Sequence, residues 1–241
     1  MLEPLKDLYK DEVRELGSLL GLPHSIVWRH PFPGPGLSVN VLCSDGKETL
    51  EKDSTLEQEL LKYFADKVCN ASVLPVRSVG VQGDQRTYTP PAVIWDTPQD
   101  WNWLEEQSVS ITNSIREVNR VVLLLSPSQL PALKIREAYC THERLDLLRE
   151  ADELVTQTLI QNDLMKDIFQ LLVILLPISE DGHGDSLVLR PVCSEDVMTA
   201  QFARLDWDIL NTLKQALIRL PGINAVFYDI THKPPATFGW E

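Results

Sequence analysis

Hydrophobic residues recur at helical spacing at the start of the chain. Between residues 3 and 21 they lie mostly three or four positions apart, with Pro4 near the beginning and Gly21 after the last of them. This pattern predicts one amphipathic helix. Residues 29–36 then combine prolines with glycines and predict an extended connector, because proline fits neither a helix interior nor a central strand. The connector offers no partner for the apolar stripe of the helix, so we expect the helix to belong to a larger domain.

Further along the chain, one order of elements occurs twice. A capping-box pattern at Ser54 and Glu57 predicts a helix ahead of both copies. The first copy consists of strands 73–81 and 86–95, a helix that opens at Thr97, and a strand at 121–125. After a helix at 141–161, the second copy consists of strands 169–178 and 186–192, a helix at 205–220 and a strand at 225–230. Both copies therefore have the order β-β-α-β.

This repeat predicts the fold class α+β. We expect two tandem β-β-α-β subdomains with small antiparallel sheets packed on helices, preceded by a helix and the extended Pro/Gly connector. In such subdomains helices cover one face of the sheet, and the other face is available to a partner.

The charge balance narrows the possible partners. The chain has 241 residues, with 22 Lys and Arg against 35 Asp and Glu, and a formal net charge of −13. A surface of this kind repels nucleic acid and anionic membranes, although local cations can still bind a small anionic ligand. The longest aliphatic run without a charge, 168–179, is too short to cross a bilayer, and the first residues lack the apolar core of a secretory signal. We therefore expect a cytoplasmic protein, and the four scattered cysteines show no metal-ligand spacing.

Four motifs make the chain similar to a known family. They are residues 3–14, Arg29-His30-Pro31-Phe32-Pro33-Gly34-Pro35-Gly36-Leu37, Ser78-Val79-Gly80-Val81-Gln82-Gly83-Asp84, and Tyr228-Asp229-Ile230 followed by Lys233-Pro234-Pro235-Ala236-Thr237 with Trp240-Glu241 at the end. With these motifs in this order, the chain resembles the C-terminal dimerisation region of GMP synthetase, the glutamine-hydrolysing ligase that converts xanthosine monophosphate (XMP) to GMP. The doubled β-β-α-β order resembles the longer, eukaryote-like form of that enzyme.

The resemblance also implies a division of the chain. Residues 1–38 correspond to the end of an ATP pyrophosphatase domain with its connector. Residues 39–140 correspond to a first dimerisation subdomain with a preceding helix, and 141–241 to a second one with a substrate-binding tail. The glutaminase nucleophile and the phosphate-loop motif of the family are absent from these residues. We therefore expect this chain to be inactive alone and to work with glutaminase and ATP pyrophosphatase domains in the same or another chain.

The resemblance implies three XMP-binding residues, and each also has a simpler interpretation. Asp84 lies in the Val-Gly-Val-x-Gly-Asp turn, where its carboxylate can accept N–H or hydroxyl groups, but Gly-Asp is also ordinary hairpin-turn chemistry. Lys233 lies in the Lys-Pro-Pro motif, where its ammonium would offset phosphate charge, but lysines near a terminus are usually solvated. Gln170 precedes an apolar strand and can both donate to and accept from a base edge, but it equally fits a polar residue of an edge strand.

Two arginines of the predicted hairpins, Arg86 and Arg190, are possible support for a phosphate. The alternative is that they pair with Asp or Glu. One position departs from the family, since Gly239 stands where the family has a glutamate that the resemblance assigns to substrate binding. Either substrate handling is altered, or a neighbour such as Glu241 substitutes.

The leading hypothesis is therefore that the chain dimerises and completes the XMP site of an enzyme for purine nucleotide biosynthesis. ATP and Mg²⁺ would act in the complete enzyme, and the chain alone would bind no cofactor or metal and contribute no catalytic residue. The alternative is an interaction module that has kept the dimer surface and lost nucleotide binding. A self-sufficient enzyme has little support, because no nucleophile with a partner, phosphate loop or metal cluster is visible in the sequence.

Overall fold

The computed structural model describes residues 3–27, 36–47, 54–65, 69–194 and 198–241. The chain divides into two compact units, Met1–Phe32 and Pro33–Glu241. The first unit contains helices α1 (Lys10–Leu19) and α2 (His24–Val27). Helix α1 begins later than its apolar pattern, at the point where the Glu12 carboxylate accepts the Tyr9 N–H at 2.7 Å. Most of the predicted Pro/Gly connector lies in 28–35, outside the described residues.

The second unit has helices and strands in alternation. Its helices are α3 (Ser54–Phe64), α4 (Trp101–Ser114), α5 (His142–Gln161) and α6 (Trp207–Leu217), with short 3₁₀ turns at Gly36–Asn40 and Met165–Asp167. Its strands are β1 (Ser44–Asp45), β2 (Asn70–Val73), β3 (Ser78–Gln82), β4 (Gln85–Thr89), β5 (Ala92–Trp95), β6 (Val121–Ser126), β7 (Lys134–Ile135), β8 (Glu137–Ala138), β9 (Gln170–Leu176), β10 (Ile178–Ser179), β11 (Asp185–Cys193), β12 (Gln201–Phe202) and β13 (Ile223–Asp229).

A seven-stranded mixed sheet lies at the centre of this unit. Its order is β12-β11-β13-β6-β5-β2, and β9 pairs with β11. In the first copy of the repeat, β5 pairs with β2 in antiparallel orientation and with β6 in parallel orientation. In the second copy, β11 pairs in the same way with β9 and β13. The copies join where β6 and β13 run antiparallel with Leu123 opposite Tyr228, so an approximate two-fold axis passes through this pair.

The α+β class is confirmed, but the sheets differ in detail from the expectation. Small antiparallel sheets were expected in each subdomain, whereas the strands of both copies form one sheet that contains parallel pairs. The crossover helices α4 and α6 return the chain so that the next strand runs parallel. Each copy then has an unpaired edge strand, and pairing the two edges buries both. The proposed division at residue 140 therefore lies within one compact unit.

The first predicted hairpin is also divided. Only β2 and β5 belong to the central sheet, whereas β3 and β4 pair with each other as a separate ribbon. Pro75 interrupts the first strand and Pro90-Pro91 the second. Since proline cannot donate to a strand ladder, these positions allow the outer part of the hairpin to leave the sheet.

Helices cover one face of the sheet, and other segments cover the opposite face. Buried side chains of α3 to α6 pack with alternate sheet residues, including Leu104, Leu148 and Leu213. On the opposite face, Phe227 and its neighbours pack with Trp240 of the C-terminal tail. Trp101 and Trp207, the first residues of α4 and α6, stack with centroids 4.5 Å apart. None of the helices in the described residues has both the length and the apolar character needed to cross a membrane.

Candidate functional site

A fully buried charge cluster lies on the sheet face opposite the helices. The Asp229 carboxylate at the end of β13 accepts from Arg120 Nη1 at 2.7 Å and from Arg190 Nη1 at 2.8 Å, and all three side chains are 0% exposed. The Trp240 indole N–H and the Thr231 backbone N–H also donate to this carboxylate, each at 3.0 Å. Every partner of Asp229 in this cluster is therefore a donor, as a buried carboxylate requires.

The cluster is charged at neutral pH. Burial alone opposes the charge of Asp229, but the charges of Arg190 and Arg120 outweigh it and hold the pKa of this carboxyl below its ordinary value. Burial lowers the pKa of Arg190 to about 10, against the opposing charge of Asp229. Since that pKa is still well above neutrality, two guanidiniums meet one carboxylate and the cluster has a net positive charge.

The arginines also bind the C-terminal tail, which we define as residues 232–241. Arg190 donates to the carbonyls of Thr237 at 2.9 Å and Phe238 at 3.1 Å. Arg120 donates to the Gly239 carbonyl at 2.8 Å and to the Val79 carbonyl at 3.0 Å. The buried cluster therefore holds the tail onto the sheet and, through Val79, onto strand β3.

The tail runs along β3, where Gly80 permits the close approach. The Val79 N–H donates to the Trp240 carbonyl at 3.0 Å, and Gly80 forms an antiparallel bridge with Ala236. A Cβ at Gly80 would lie 2.6 Å from the Cβ of Asn119, whose buried side chain is bonded to Ser78. Only glycine fits here without displacing Asn119. Gly80 of the Val-Gly-Val motif is therefore required for the packing of the tail on β3.

At the edge of the tail, the structure brings Lys233 and Gln170 into one neighbourhood. The Lys233 ammonium lies 4.3 Å from the centroid of the Phe238 ring. The Phe238 ring lies 5.8 Å from that of Phe169, and Phe169 directly precedes Gln170, the first residue of β9. Lys233 and Gln170 are both half-buried. An ammonium and two aromatic rings therefore lie together where β9 begins at Gln170, near the carboxyl ends of β11 and β13.

The other predicted residues have different environments. Asp84 and Arg86 are exposed at the turn of the β3–β4 ribbon, where Gly83 has a φ of 65° and nothing near its Cβ direction. Arg190 lies inside the protein, and Asp229 and the tail carbonyls take up its donors. Of the two interpretations of Arg190, pairing with an acidic residue is the observed one. The fully buried guanidinium contacts Asp229 and tail carbonyls, so any support of a phosphate by Arg190 would act through its charge and stays a prediction.

The comparison with known proteins gives the family. Residues 157–240 match the family described as GMP synthase C terminal domain. A probable glutamine-hydrolyzing GMP synthase of Leptospira interrogans is 41% identical over 244 residues, which cover 100% of this chain and 40% of that protein. The chain belongs to the family of GMP synthetase C-terminal regions.

Eukaryotic relatives match over nearly the same length. The glutamine-hydrolyzing GMP synthase of Dictyostelium discoideum is 30% identical over 286 residues, covering 98% of this chain and 40% of that protein. A probable GMP synthase of Caenorhabditis elegans is 32% identical over 314 residues, covering 100% of this chain and 42% of that protein. The chain thus spans about two fifths of the length of these relatives.

In this GMP synthetase C-terminal region, Gly239 and Glu241 share one space. A Cβ built on Gly239 would lie 2.8 Å from both carboxylate oxygens of Glu241. The Glu241 carboxylate also accepts the Trp240 N–H at 3.2 Å. An acidic group is therefore present beside residue 239, although residue 239 itself has no side chain.

The sequence contained a signal for the residues that were missed. Arg120 directly precedes the apolar strand β6, and Asp229 ends the apolar run of β13. Charged residues beside or within apolar strands are rarely buried unless they are paired, so each predicts an internal partner. Their mutual pairing could not be predicted, since they are 109 positions apart. Among the residues that the structure describes, no group of His, Cys, Asp and Glu is arranged to hold a metal ion.

Proposed function

We propose that this chain is the C-terminal portion of a GMP synthetase, and that it completes the XMP site and forms a homodimer. In the assembled enzyme, meaning this chain with glutaminase and ATP pyrophosphatase domains, XMP would be aminated to GMP at the expense of ATP. ATP and Mg²⁺ would activate the xanthine oxygen in the pyrophosphatase domain, and ammonia would come from glutamine. The residues of this chain would bind and orient XMP and would not act as nucleophile, acid or base.

The observation that carries this proposal is the grouping of Lys233, Phe238 and Gln170. Lys233 and Gln170 are far apart in the sequence, but the Lys233 ammonium lies over Phe238, and Phe238 packs against Phe169, the residue before Gln170. An ammonium suits a phosphate, whereas an amide beside aromatic rings suits a purine base. The buried cluster of Arg120, Arg190 and Asp229 carries a net positive charge within an acidic protein. That local charge favours an anionic ligand.

Asp84 and Glu241 complete the proposed acceptor set. A carboxylate accepts hydroxyl or N–H groups of a nucleoside. Asp84 has the exposure needed to meet a ligand or another domain. The position of the Glu241 carboxylate beside Gly239 supports its substitution for the glutamate of the family pattern. Arg86, also exposed, stays a candidate for support of the phosphate.

The test is XMP binding by the assembled enzyme with Lys233→Met. A charge-assisted hydrogen bond contributes about 1.5–3 kcal/mol, so we expect the dissociation constant for XMP to rise about tenfold or more. The matched control is Lys47→Met, because Lys47 is 85% exposed and its ion pair with Asp45, at 3.6 Å, lies on the surface. Isothermal titration calorimetry gives both constants. Equal affinity of Lys233→Met and wild type would reject the role of Lys233.

The departure at Gly239 favours a second candidate, a dimerisation module without nucleotide binding. Both functions predict self-association, which light scattering after size exclusion measures. They differ in ligand-dependent stability, since XMP at about one hundred times its dissociation constant adds about 2.7 kcal/mol. A clear XMP-dependent rise in melting temperature of the assembled enzyme, lost in Lys233→Met, would exclude the module without nucleotide binding.

A further inference from the structure

A residue from the first copy of the repeat contacts the segment that carries Lys233. Glu105 lies on α4, and its Oε1 is 2.5 Å from Nε2 of His232, the residue before Lys233. Its other oxygen, Oε2, accepts from Arg204. Arg204 in turn donates to the Asn102 side chain at 2.8 Å, one helical turn earlier on α4. Glu105 therefore joins two segments of the second copy to a helix of the first.

These two segments pair through the backbone of Lys233. The Lys233 N–H donates to the Ala200 carbonyl at 2.8 Å, and the Ala200 N–H donates back at 3.1 Å. The His232 ring stacks on Phe202 with centroids 5.3 Å apart and an angle of 15° between the planes. The backbone of Lys233 is thus fixed on one side by residues 200–204 and on the other by His232. Glu105 is bonded to both sides.

The Glu105 carboxylate is charged in this position. Partial burial opposes ionisation, but the hydrogen bond and charge of His232, together with Arg204, outweigh it and lower the pKa of Glu105. Glu105 is 27% exposed, so it can be changed to glutamine without burying an unpaired charge. Glu106, the next residue, is exposed and offers a matched control on the same helix.

We propose that Glu105 is a positioning residue for the Lys233 ammonium, acting through His232 and Arg204. The proposal rests on the function proposed above, in which Lys233 contacts the phosphate of XMP. The first copy of the repeat then has a defined task in nucleotide binding, which is to fix a side chain that the second copy supplies. A preorganised ammonium loses less freedom on binding than a mobile one, so this contact raises affinity without touching the ligand.

A double-mutant cycle in the assembled enzyme tests this inference. The dissociation constants for XMP are measured for Glu105→Gln, Lys233→Met, the double variant and the control Glu106→Gln. Glu105→Gln is expected to weaken XMP binding about threefold to fivefold, the range of a partly exposed ion pair, and Glu106→Gln to leave it unchanged. The double variant should bind no more weakly than Lys233→Met within about twofold, because coupled residues are not additive.

A nucleoside gives the second readout. Xanthosine has no phosphate, so Glu105→Gln should leave its affinity unchanged, whereas a general structural defect would weaken xanthosine and XMP alike. Unchanged XMP affinity of Glu105→Gln, or an equal loss with and without Lys233, would overturn the positioning role while leaving the role of Lys233 intact. If Lys233→Met itself binds XMP normally, the proposed function of Lys233 and this inference both fail.

Discussion

The buried Asp229 gives the sharpest prediction for stability. Changing Asp229 to Asn keeps the size of the side chain but removes the carboxylate that Arg120 and Arg190 both contact. An amide has one acceptor oxygen, so at least one guanidinium would face an N–H₂ group or nothing. Both guanidiniums are 0% exposed, which means that water cannot replace the lost acceptor.

The expected cost follows from this burial. Removing one partner of a buried ion pair costs about 3–5 kcal/mol, because it leaves an uncompensated charge in the interior. The substitution also weakens the acceptor of the Trp240 indole N–H, which helps to hold the tail. A typical domain has only about 5–15 kcal/mol of stability, so Asp229→Asn should lose a large part of it.

Urea unfolding followed by circular dichroism measures the effect. The control is Asp146→Asn, which breaks an ion pair to Arg149 whose side chains are 69% and 58% exposed. That control should cost less than about 1 kcal/mol. A loss for Asp229→Asn no larger than the control would refute the reasoning.

A triple variant keeps the prediction decisive if Asp229→Asn does not fold. Replacing the three charges together, as Arg120→Met, Arg190→Met and Asp229→Leu, removes the unpaired charges along with the pair. We expect this variant to be more stable than Asp229→Asn, because well-packed apolar residues can replace a buried ion pair at little cost. A triple variant less stable than Asp229→Asn would show that packing and the arginine bonds to the tail carbonyls outweigh the unpaired charge.

Three further predictions concern pH, Gly80 and Gly239. The pKa of Asp229 is lowered in the folded state, so its contribution to stability is present above the unfolded carboxyl pKa of about 3.9 and is lost as the pH falls through the lower folded value. Acid titration of the melting temperature should therefore show a larger fall in wild type than in the triple variant, and equal falls would contradict this role of Asp229. Gly80→Ala should lower the free energy of unfolding in urea by about 1–3 kcal/mol, because its Cβ would lie 2.6 Å from the buried Asn119. The control Gly239→Ala would contact only the flexible end of the Glu241 side chain and should cost much less. Equal costs would contradict the packing role of Gly80. In the assembled enzyme, Glu241→Gln should weaken XMP binding by about tenfold, and adding Gly239→Glu to this variant should restore the affinity. Calorimetry measures both dissociation constants. Normal XMP binding by Glu241→Gln would show that Glu241 does not replace the glutamate of the family pattern.

The buried charges explain why the tail lies where it does. Arg120 and Arg190 donate hydrogen bonds to the carbonyls of Thr237, Phe238 and Gly239. The apolar side chains on the same face of the sheet cannot donate such bonds, so the charged residues select where the tail binds.

The sequence by itself determined the local elements and the repeat. Apolar periodicity gave α5 and α6 and the strands β6, β9, β11 and β13 close to their observed bounds, because helix and strand formation depend mainly on which neighbours along the chain face a core. The motif residues also identified Lys233. Its surroundings could not be derived in this way.

The tertiary structure decided which distant residues meet. It joined both copies into one sheet, paired Arg190 with Asp229, and brought Glu105 to the tail beside Lys233. These outcomes depend on the antiparallel register of β6 and β13 and on how the helices pack over it. An arginine attracts any nearby carboxylate equally well, so a linear pattern of charges does not specify its partner. The packing of the whole unit does, because burial penalises every arrangement that leaves a charge unpaired.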